Sequence, residues 1–177
     1  MSAILLAGFG GQGILFAGKQ LVLAGMKSDK QVSWLPSYGP EMRGGTSNCT
    51  VVISDEEIGS PSVSSPDILV AMNLPSYDKF ESKVAAGGML FCDSTLVDKK
   101  SERTDIKCFY IPATALANDN GLSGFANVII IGSILKNTDI FDYEDFKSYL
   151  LSGIPETKAA LIEKNAKALD LGYNYEA

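Results

Sequence analysis

The sequence contains no histidine among its 177 residues. Histidine is the commonest general base and belongs to most nucleophilic triads, so a chain without it is expected to contribute binding rather than proton transfer to a catalytic site. We therefore predict no catalytic residue here. Cysteine is also scarce. Cys49, Cys92 and Cys108 are too few and too widely spaced for an iron–sulfur or zinc site, and no metal ligands are predicted.

Three further absences exclude classes of protein. Lysine and arginine number 15 against 21 acidic residues, for a net charge of −6, and they are scattered, which argues against a nucleic-acid partner. The longest apolar run, residues 128–135, is far below the ~20 residues of a membrane span. The N-terminus lacks the basic region of a signal peptide. An odd number of cysteines, all in predicted strands, fits buried thiols in a reducing cytoplasm.

A glycine-rich turn near the N-terminus is the most informative feature present. The apolar residues 4–7 lead into Gly-Phe-Gly-Gly-Gln-Gly at residues 8–13, and a helical pattern follows. Gly8, Gly10 and Gly13 fill the spacing G-x-G-x-x-G, in which glycine permits positive φ and close approach of a ligand. The N–H groups at the helix start favour an anion, usually phosphate. The alternative is a tight strand-to-helix corner that binds nothing.

Two nucleotide-binding patterns are incomplete in this sequence. A nicotinamide site needs an acid about 20 residues after the glycines, at the end of the second strand. That strand ends instead in Pro36-Ser37, with Asp29 too early and Glu41 too late. Residues 13–19 imitate a Walker A motif, but Gln20 replaces its serine or threonine, and Lys19 lies inside the predicted helix.

The pattern of strands and helices predicts a single α/β domain over residues 1–177. We expect a three-layer α/β/α fold with a mostly parallel sheet and one antiparallel element at 47–54, which follows 31–35 too closely for a helical crossover. The other predicted strands are 67–72, 89–93 and 107–111. Helices are predicted at 13–24 (ending at Gly25), 73–84, 125–135, 142–151 and 156–169. The nearly all-apolar 125–135 helix requires cover from its own sheet or from another subunit.

A second unusual segment is the loop at residues 35–46. It combines prolines and glycines with Tyr38, Glu41, Met42 and Arg43. The loop and the glycine turn both follow the carboxyl end of a strand, where ligands of open α/β sheets gather. Arg43 could bind phosphate and Tyr38 could offer a stacking face. The alternative is a structured hairpin in which an Arg43–Glu41 pair only ties the loop to itself.

Together, residues 8–13 and 36–45 resemble the gamma subunit of 2-oxoacid:ferredoxin oxidoreductases. Residues 67–73 and the corner at 111–114 also fit that pattern, so the resemblance covers nearly the whole chain. The Tyr-Gly-Pro-Glu-Met-Arg-Gly-Gly form at 38–45 resembles enzymes for 2-oxoglutarate or branched-chain 2-oxoacids. Pyruvate-type subunits usually carry a Phe-Gly-Pro-Glu-Arg-Arg-like loop.

The resemblance implies a role within a larger enzyme. Such enzymes convert a 2-oxoacid and coenzyme A to an acyl-CoA, carbon dioxide and reduced ferredoxin. Thiamine diphosphate with Mg²⁺ and the iron–sulfur clusters would be held by alpha and beta partners, with or without a ferredoxin-like delta subunit, and ferredoxin would bind through those chains. This chain would hold no cofactor alone but would contact coenzyme A.

The expected ligand-binding residues come from the two loops. They are Gly8, Gly10, Gly11, Gln12, Gly13, Tyr38, Arg43, Gly44 and Gly45. Two alternatives remain open: a stand-alone NAD(P)-dependent dehydrogenase, and a purely structural assembly module whose glycine turn packs against a partner.

Overall fold

A computed structural model of the protein describes residues 1–37 and 46–176, with Thr46 described by its backbone alone. The strands are β1 (Ser2–Phe9), β2 (Gln31–Ser37), β3 (Thr46–Ser54), β4 (Ile68–Ala71), β5 (Met89–Asp93) and β6 (Lys107–Ile111). The helices are α1 (Ile14–Lys27), α2 (Leu74–Phe80), α3 (Ala113–Asp119), α4 (Ala126–Asn137), α5 (Tyr143–Ser152) and α6 (Ala159–Asn174). Short 3₁₀ turns follow α2 at Glu81–Lys83 and precede α6 at Glu156–Lys158.

Within the described residues the strands form one six-stranded sheet in the order β2-β3-β1-β4-β5-β6. β1, β4, β5 and β6 pair in parallel, whereas β3 is antiparallel to both β1 and β2. This confirms the predicted α/β fold with a mostly parallel sheet and an antiparallel element. Every strand except β3 therefore ends at the same edge of the sheet, which we term the carboxyl edge.

Apolar residues of the sheet pack against helices on both faces. Ile4 and Leu6 of β1 belong to the larger core, which also contains residues of α1, α3, α4, α5 and α6. Leu5 and Ala7 point to the other face and join a smaller core with α2. The alternation of side chains along β1 thus places a helical layer on each side, as the three-layer expectation required.

Helix α1 continues beyond its predicted end. We expected Gly25 to be the C-cap, but α1 reaches Lys27 and Ser28 is the C-cap. Gly25 is needed for close packing instead, because a Cβ there would lie 2.5 Å from Cγ1 of Val32 in β2. The glycine thus marks where α1 touches the sheet.

Helix α3 was missed in the sequence. Residues 113–119 follow Pro112 and lead into a polar stretch, so they lack a helical apolar pattern. Their start is fixed by a residue distant in sequence, since the carboxylate of Asp93 accepts hydrogen bonds from the backbone N–H and the hydroxyl of Thr114. Such tertiary capping leaves no local signal.

Helix α4 is covered within the chain. Its residues from Asn127 to Leu135 are all buried, and α6 packs along it at very short range. A Cβ on Gly132 would lie 2.3 Å from the carbonyl oxygen of Leu169, and one on Gly172 would lie 1.7 Å from that of Ile129. We expected cover from the sheet or from another subunit. Residues of α4 do join residues of the sheet in the larger core, but α6, which we did not predict as a cover, also packs on α4.

The three cysteines lie in strands, as predicted. Cys49 and Cys92 are buried, but Cys108 is only partly buried, which corrects the expectation of three buried thiols. Burial raises the pKa of Cys49 to about 11 and that of Cys92 to about 12, so both are protonated at neutral pH. Both thiols belong to the packing of the two cores.

Candidate functional site

The glycine turn lies at the carboxyl edge, between β1 and α1. Its glycines meet different requirements. A Cβ on Gly8 would lie 2.6 Å from Oε1 of Gln12, and one on Gly13 would lie 2.4 Å from Nδ2 of Asn127. Gly11 has φ +93°, yet a Cβ there would meet no atom of the described residues within 4 Å. Gly8 and Gly13 therefore allow internal packing, whereas none of the described residues covers the backbone at Gly11.

The Gln12 side chain holds the turn in place. Its Oε1 accepts a hydrogen bond from the backbone N–H of Phe9 at 2.6 Å, and its Nε2 donates to the carbonyl oxygen of Met72 at 2.9 Å. Met72 follows β4, the parallel neighbour of β1. The amide thus ties the turn to the adjacent strand.

Two helices begin at this edge without side-chain caps. Gly13 precedes α1 in the left-handed conformation with φ 73°, and Phe125 precedes α4; neither makes a side-chain cap hydrogen bond. Neither helix has an acidic residue in its first turn. No carboxylate in these first turns offsets the positive end of either helix dipole. Each helix start therefore favours an anion nearby.

A cavity of about 320 Å³ lies between the two helix starts. The described residues that line it carry no charged side chain; they are Gly11, Gln12, Met72, Leu96, Thr114, Ala117, Asn118, Ser123, Gly124 and Ala126. Hydroxyl and amide groups of Gln12, Thr114 and Ser123 alternate there with apolar side chains. The cavity thus suits a ligand part that combines hydrogen-bonding groups with apolar ones.

Asp93 lies beneath this cavity, fully buried at the end of β5. Its carboxylate accepts from the hydroxyl of Thr114 at 2.5 Å and from the backbone N–H of Thr95 at 3.1 Å. These bonds occupy its acceptor positions. Asp93 therefore positions α3 and Thr114 and is not available as a general base.

The second predicted loop falls largely outside the described residues. Tyr38, Arg43, Gly44 and Gly45 all lie there, so their part in the site stays a prediction. Their flanking strands are informative: β2 ends at Ser37, and Thr46 at the start of β3 pairs with Phe9 at the end of β1. Both ends of the segment are thus at the carboxyl edge, beside the glycine turn.

The sheet order argues against a nicotinamide site. In the dinucleotide-binding fold, the strand after the first helix lies beside β1 and runs parallel to it. Here the antiparallel β3 separates β2 from β1. Lys19 lies within α1, five residues past its start, as expected. A lysine inside a helix cannot wrap around a phosphate as the Walker A lysine does, so the Walker A interpretation fails.

Several lining residues were not predicted as part of a site. Thr114, Ser123 and Gly124 line the cavity, and Asn73 donates a hydrogen bond to the lining residue Gln12. These residues come from separate parts of the chain and meet only in the fold. A weak signal did exist for Asn73, because it follows a buried strand at the edge where ligands gather. The described residues contain no group of three or more cysteines and acids that could hold a metal ion. None of their helices is long and apolar enough to cross a membrane.

Comparisons with known proteins identify relatives along nearly the whole chain. The family model described as pyruvate ferredoxin/flavodoxin oxidoreductase matches residues 3–175. Ketoisovalerate oxidoreductase subunit VorA of Methanothermobacter marburgensis is 38% identical over 97% of this chain, which spans only 36% of VorA. 2-Oxoglutarate synthase subunit KorC of Methanocaldococcus jannaschii is also 38% identical, over 96% of this chain and 91% of KorC.

A solved structure agrees with these relatives. The crystal structure of a keto/oxoacid ferredoxin oxidoreductase gamma subunit from Geobacter sulfurreducens has a TM-score of 0.83 to this chain at 31% identity. The match covers 98% of this chain and 96% of that one. The similarity therefore extends over nearly the whole length of both chains.

Proposed function

The chain belongs to the pyruvate ferredoxin/flavodoxin oxidoreductase family, and from this membership we propose that it is the gamma subunit of a 2-oxoacid:ferredoxin oxidoreductase. The complete enzyme converts a 2-oxoacid, coenzyme A and two oxidised ferredoxins to an acyl-CoA, carbon dioxide, a proton and two reduced ferredoxins. The gamma chain supports assembly and forms the coenzyme A side of the site. It has no activity alone.

The observation that carries this proposal is the open backbone of Gly11 beside the uncharged cavity. Coenzyme A joins phosphates to a neutral arm of amides and methyl groups. The uncapped start of α1 attracts a phosphate, while the cavity lined by Met72, Leu96 and Thr114 suits the neutral arm. The described residues that line the cavity include no carboxylate and no thiol. The geometry thus supports ligand binding rather than proton transfer.

The remaining groups of the reaction are assigned to partner chains. The described residues do not fit thiamine diphosphate with Mg²⁺, because the cavity lacks carboxylates, and their cysteines do not cluster around one point. Alpha and beta subunits, with or without a ferredoxin-like delta subunit, would supply these groups and the ferredoxin surface. We derive no step through them on this chain.

2-Oxoglutarate is the substrate we propose for the complex. The loop form Tyr-Gly-Pro-Glu-Met-Arg-Gly-Gly at residues 38–45 resembles enzymes for 2-oxoglutarate or branched-chain 2-oxoacids. KorC subunits, named for 2-oxoglutarate synthase, from three different archaea are 36–38% identical to this chain, which supports the 2-oxoglutarate type. VorA, named for ketoisovalerate oxidoreductase, is equally identical, so rates of the assembled complex with 2-oxoglutarate, ketoisovalerate and pyruvate will decide among the three.

The test of the coenzyme A role is Gly11→Val in the assembled complex. The added side chain fills the open space, and we expect the KM for coenzyme A to rise roughly 10-fold, equivalent to ~1.4 kcal/mol. Gly87→Val is the matched control. Gly87 also has positive φ and open space around its Cβ position, but it lies before β5 at the opposite edge.

Both variants strain the backbone, so only the position differs. If Gly11→Val leaves the KM for coenzyme A unchanged but releases the chain from the complex on a sizing column, the turn serves assembly alone. That result would favour the assembly-module alternative. A nicotinamide-dependent activity of the isolated chain would instead favour the dehydrogenase.

A further inference from the structure

We propose that Asn73 is a positioning residue for the glycine turn and that it acts through Gln12. The inference rests on the proposed function, because it takes coenzyme A as the ligand of the turn. Asn73 is not itself a lining residue of the cavity, but it donates a hydrogen bond to Gln12, which is one. Its effect on the ligand is therefore indirect.

Among the described residues, two side chains hold the glycine turn. The backbone closes the turn with a hydrogen bond from the N–H of Gln12 to the carbonyl oxygen of Phe9, at 3.2 Å. Asn127 of α4 holds the end of the turn next to α1, because its Nδ2 donates to the carbonyl oxygen of Gly13 at 3.1 Å. The rest of the turn is held by the Gln12 amide, which binds Phe9 on one side and Met72 on the other.

Asn73 fixes the orientation of that amide. Asn73 is only 1% exposed, and its Oδ1 accepts a hydrogen bond from the backbone N–H of Ser76 at 2.8 Å, which caps α2. The Asn73 amide therefore cannot reverse, and its Nδ2 donates to Oε1 of Gln12 at 3.3 Å. One buried side chain thus serves both α2 and the glycine turn.

The hydrogen-bond pattern prevents the Gln12 amide from reversing. As observed, Oε1 accepts from both Phe9 and Asn73, while Nε2 donates to Met72. Reversal would place Nε2 against two donors and Oε1 against the Met72 carbonyl oxygen, leaving all of them unpaired. Asn73 therefore helps to keep the N–H groups of the turn directed toward the ligand, a form of preorganisation.

Two substitutions separate this role from helix capping. Asn73→Ser keeps an uncharged cap oxygen for α2 but is too short to donate to Gln12. Asn73→Asp keeps the shape and the cap but places a carboxylate oxygen against Oε1 of Gln12. In the assembled complex we expect the KM for coenzyme A to rise about 2- to 10-fold with Asn73→Ser, as for the loss of one neutral hydrogen bond. Asn73→Asp should raise it further, while the KM for the oxoacid stays unchanged.

Asp142→Ala is the matched control. Asp142 caps α5 by accepting from the N–H of Asp145 at 3.0 Å, and it has no part in the glycine turn. Its loss should lower the thermal midpoint without changing the KM for coenzyme A. A second readout tests the route: with Gln12→Leu already present, Asn73→Ser should cause no further rise, because the two residues act in series.

The outcomes discriminate the inference from the function on which it rests. It is overturned if Asn73→Ser leaves the KM for coenzyme A unchanged while Gly11→Val raises it; the proposed function then stands. It is also overturned if the effects of Asn73 and Gln12 add fully. Failure of both Asn73 variants to assemble, when Asp142→Ala assembles, would assign Asn73 a structural role only. If Gly11→Val has no effect either, the proposed function itself fails.

Discussion

Gln12 occupies the one non-glycine position in the second half of the turn, and its chemistry explains why the turn is rigid. A side chain two bonds shorter could not reach both the backbone N–H of Phe9 and the carbonyl oxygen of Met72. A glutamate has no N–H group and could not donate to the Met72 carbonyl oxygen. We predicted Gln12 as a ligand contact. It borders the cavity, but its amide is already engaged within the chain, so its contact with a ligand stays a prediction.

We expect the positive charge of Arg43 to contribute more than that of any other residue to the binding of coenzyme A. The chain carries a net charge of −6, which opposes the approach of a ligand with several phosphates. A guanidinium offers two hydrogen bonds to a phosphate. In the complex, Arg43→Ala should therefore raise the KM for coenzyme A by roughly 10- to 150-fold, or ~1.5–3 kcal/mol for a charge-assisted bond. The KM for the oxoacid should change little.

The control for this substitution is Lys107→Ala. Lys107 begins β6 at the edge opposite the glycine turn, so its removal changes the net charge by the same amount at a distance from the site. An equal rise in the KM for coenzyme A with both variants would mean that net charge, rather than a phosphate contact of Arg43, is responsible. A lost complex with Arg43→Ala would favour the self-tied hairpin.

The part of the site that could be predicted from the sequence is the part whose residues lie close together along the chain. Gly8, Gly10 and Gly13 lie within six residues of one another, and their spacing alone indicates a turn before a helix. Asn73 and Ser123 were not predictable in the same way. Each is far from the glycines in sequence and approaches them only because β4 lies beside β1 and α4 begins at the same edge.

At the scale of elements, predictions succeeded where local signals agree with the final environment. The strands β5 and β6 have the predicted bounds, because each is an uninterrupted run between turn residues. α1 and α3 differ because their ends depend on tertiary contacts. Gly25 has the sequence signal of a helix end, but it packs on Val32. The first turn of α3 is held by Asp93 at the end of β5, which accepts a hydrogen bond from the backbone N–H of Thr114.

The contact between α4 and α6 gives a stability prediction at this scale. A Cβ on Gly172 would lie 1.7 Å from the carbonyl oxygen of Ile129, and backbone cannot move aside as a side chain can. Gly172→Ala should therefore lower the free energy of unfolding by about 1–3 kcal/mol, the usual cost of overpacking, or by more if the helices separate. Urea denaturation of the isolated chain measures the change.

Gly153→Ala provides the comparison. Gly153 is the C-cap of α5 with φ −77°, and a Cβ there would make ordinary contacts at 3.6 Å. We expect a gain of about 0.4–1 kcal/mol from reduced freedom of the unfolded chain. Equal effects of the two substitutions would mean that α4 and α6 are not packed as closely as described.

At the scale of the whole molecule, the described residues offer a candidate binding edge, and they contain no group of cysteines and acids that could hold a metal ion. We expect the purified chain alone not to reduce a ferredoxin or a viologen dye when supplied with 2-oxoglutarate and coenzyme A. The physical reason is that Cys49 and Cys92 are buried and protonated, and Asp93 is fully engaged in hydrogen bonds. Addition of the partner subunits should restore the rate; turnover by the chain alone would contradict the proposed subunit role.

Ferredoxin should dock on a partner chain rather than on this one. Redox ferredoxins are generally acidic, and this chain carries a net charge of −6, so the two repel at low ionic strength. Many basic side chains are already paired, as Lys30 is with Asp55, Lys99 with Asp78 and Lys147 with Asp170. Cross-linking of the assembled complex to ferredoxin at low salt should therefore label mainly the other subunits. A main product on this chain would show that a local basic patch overrides the net charge, and raising the ionic strength should then abolish that product.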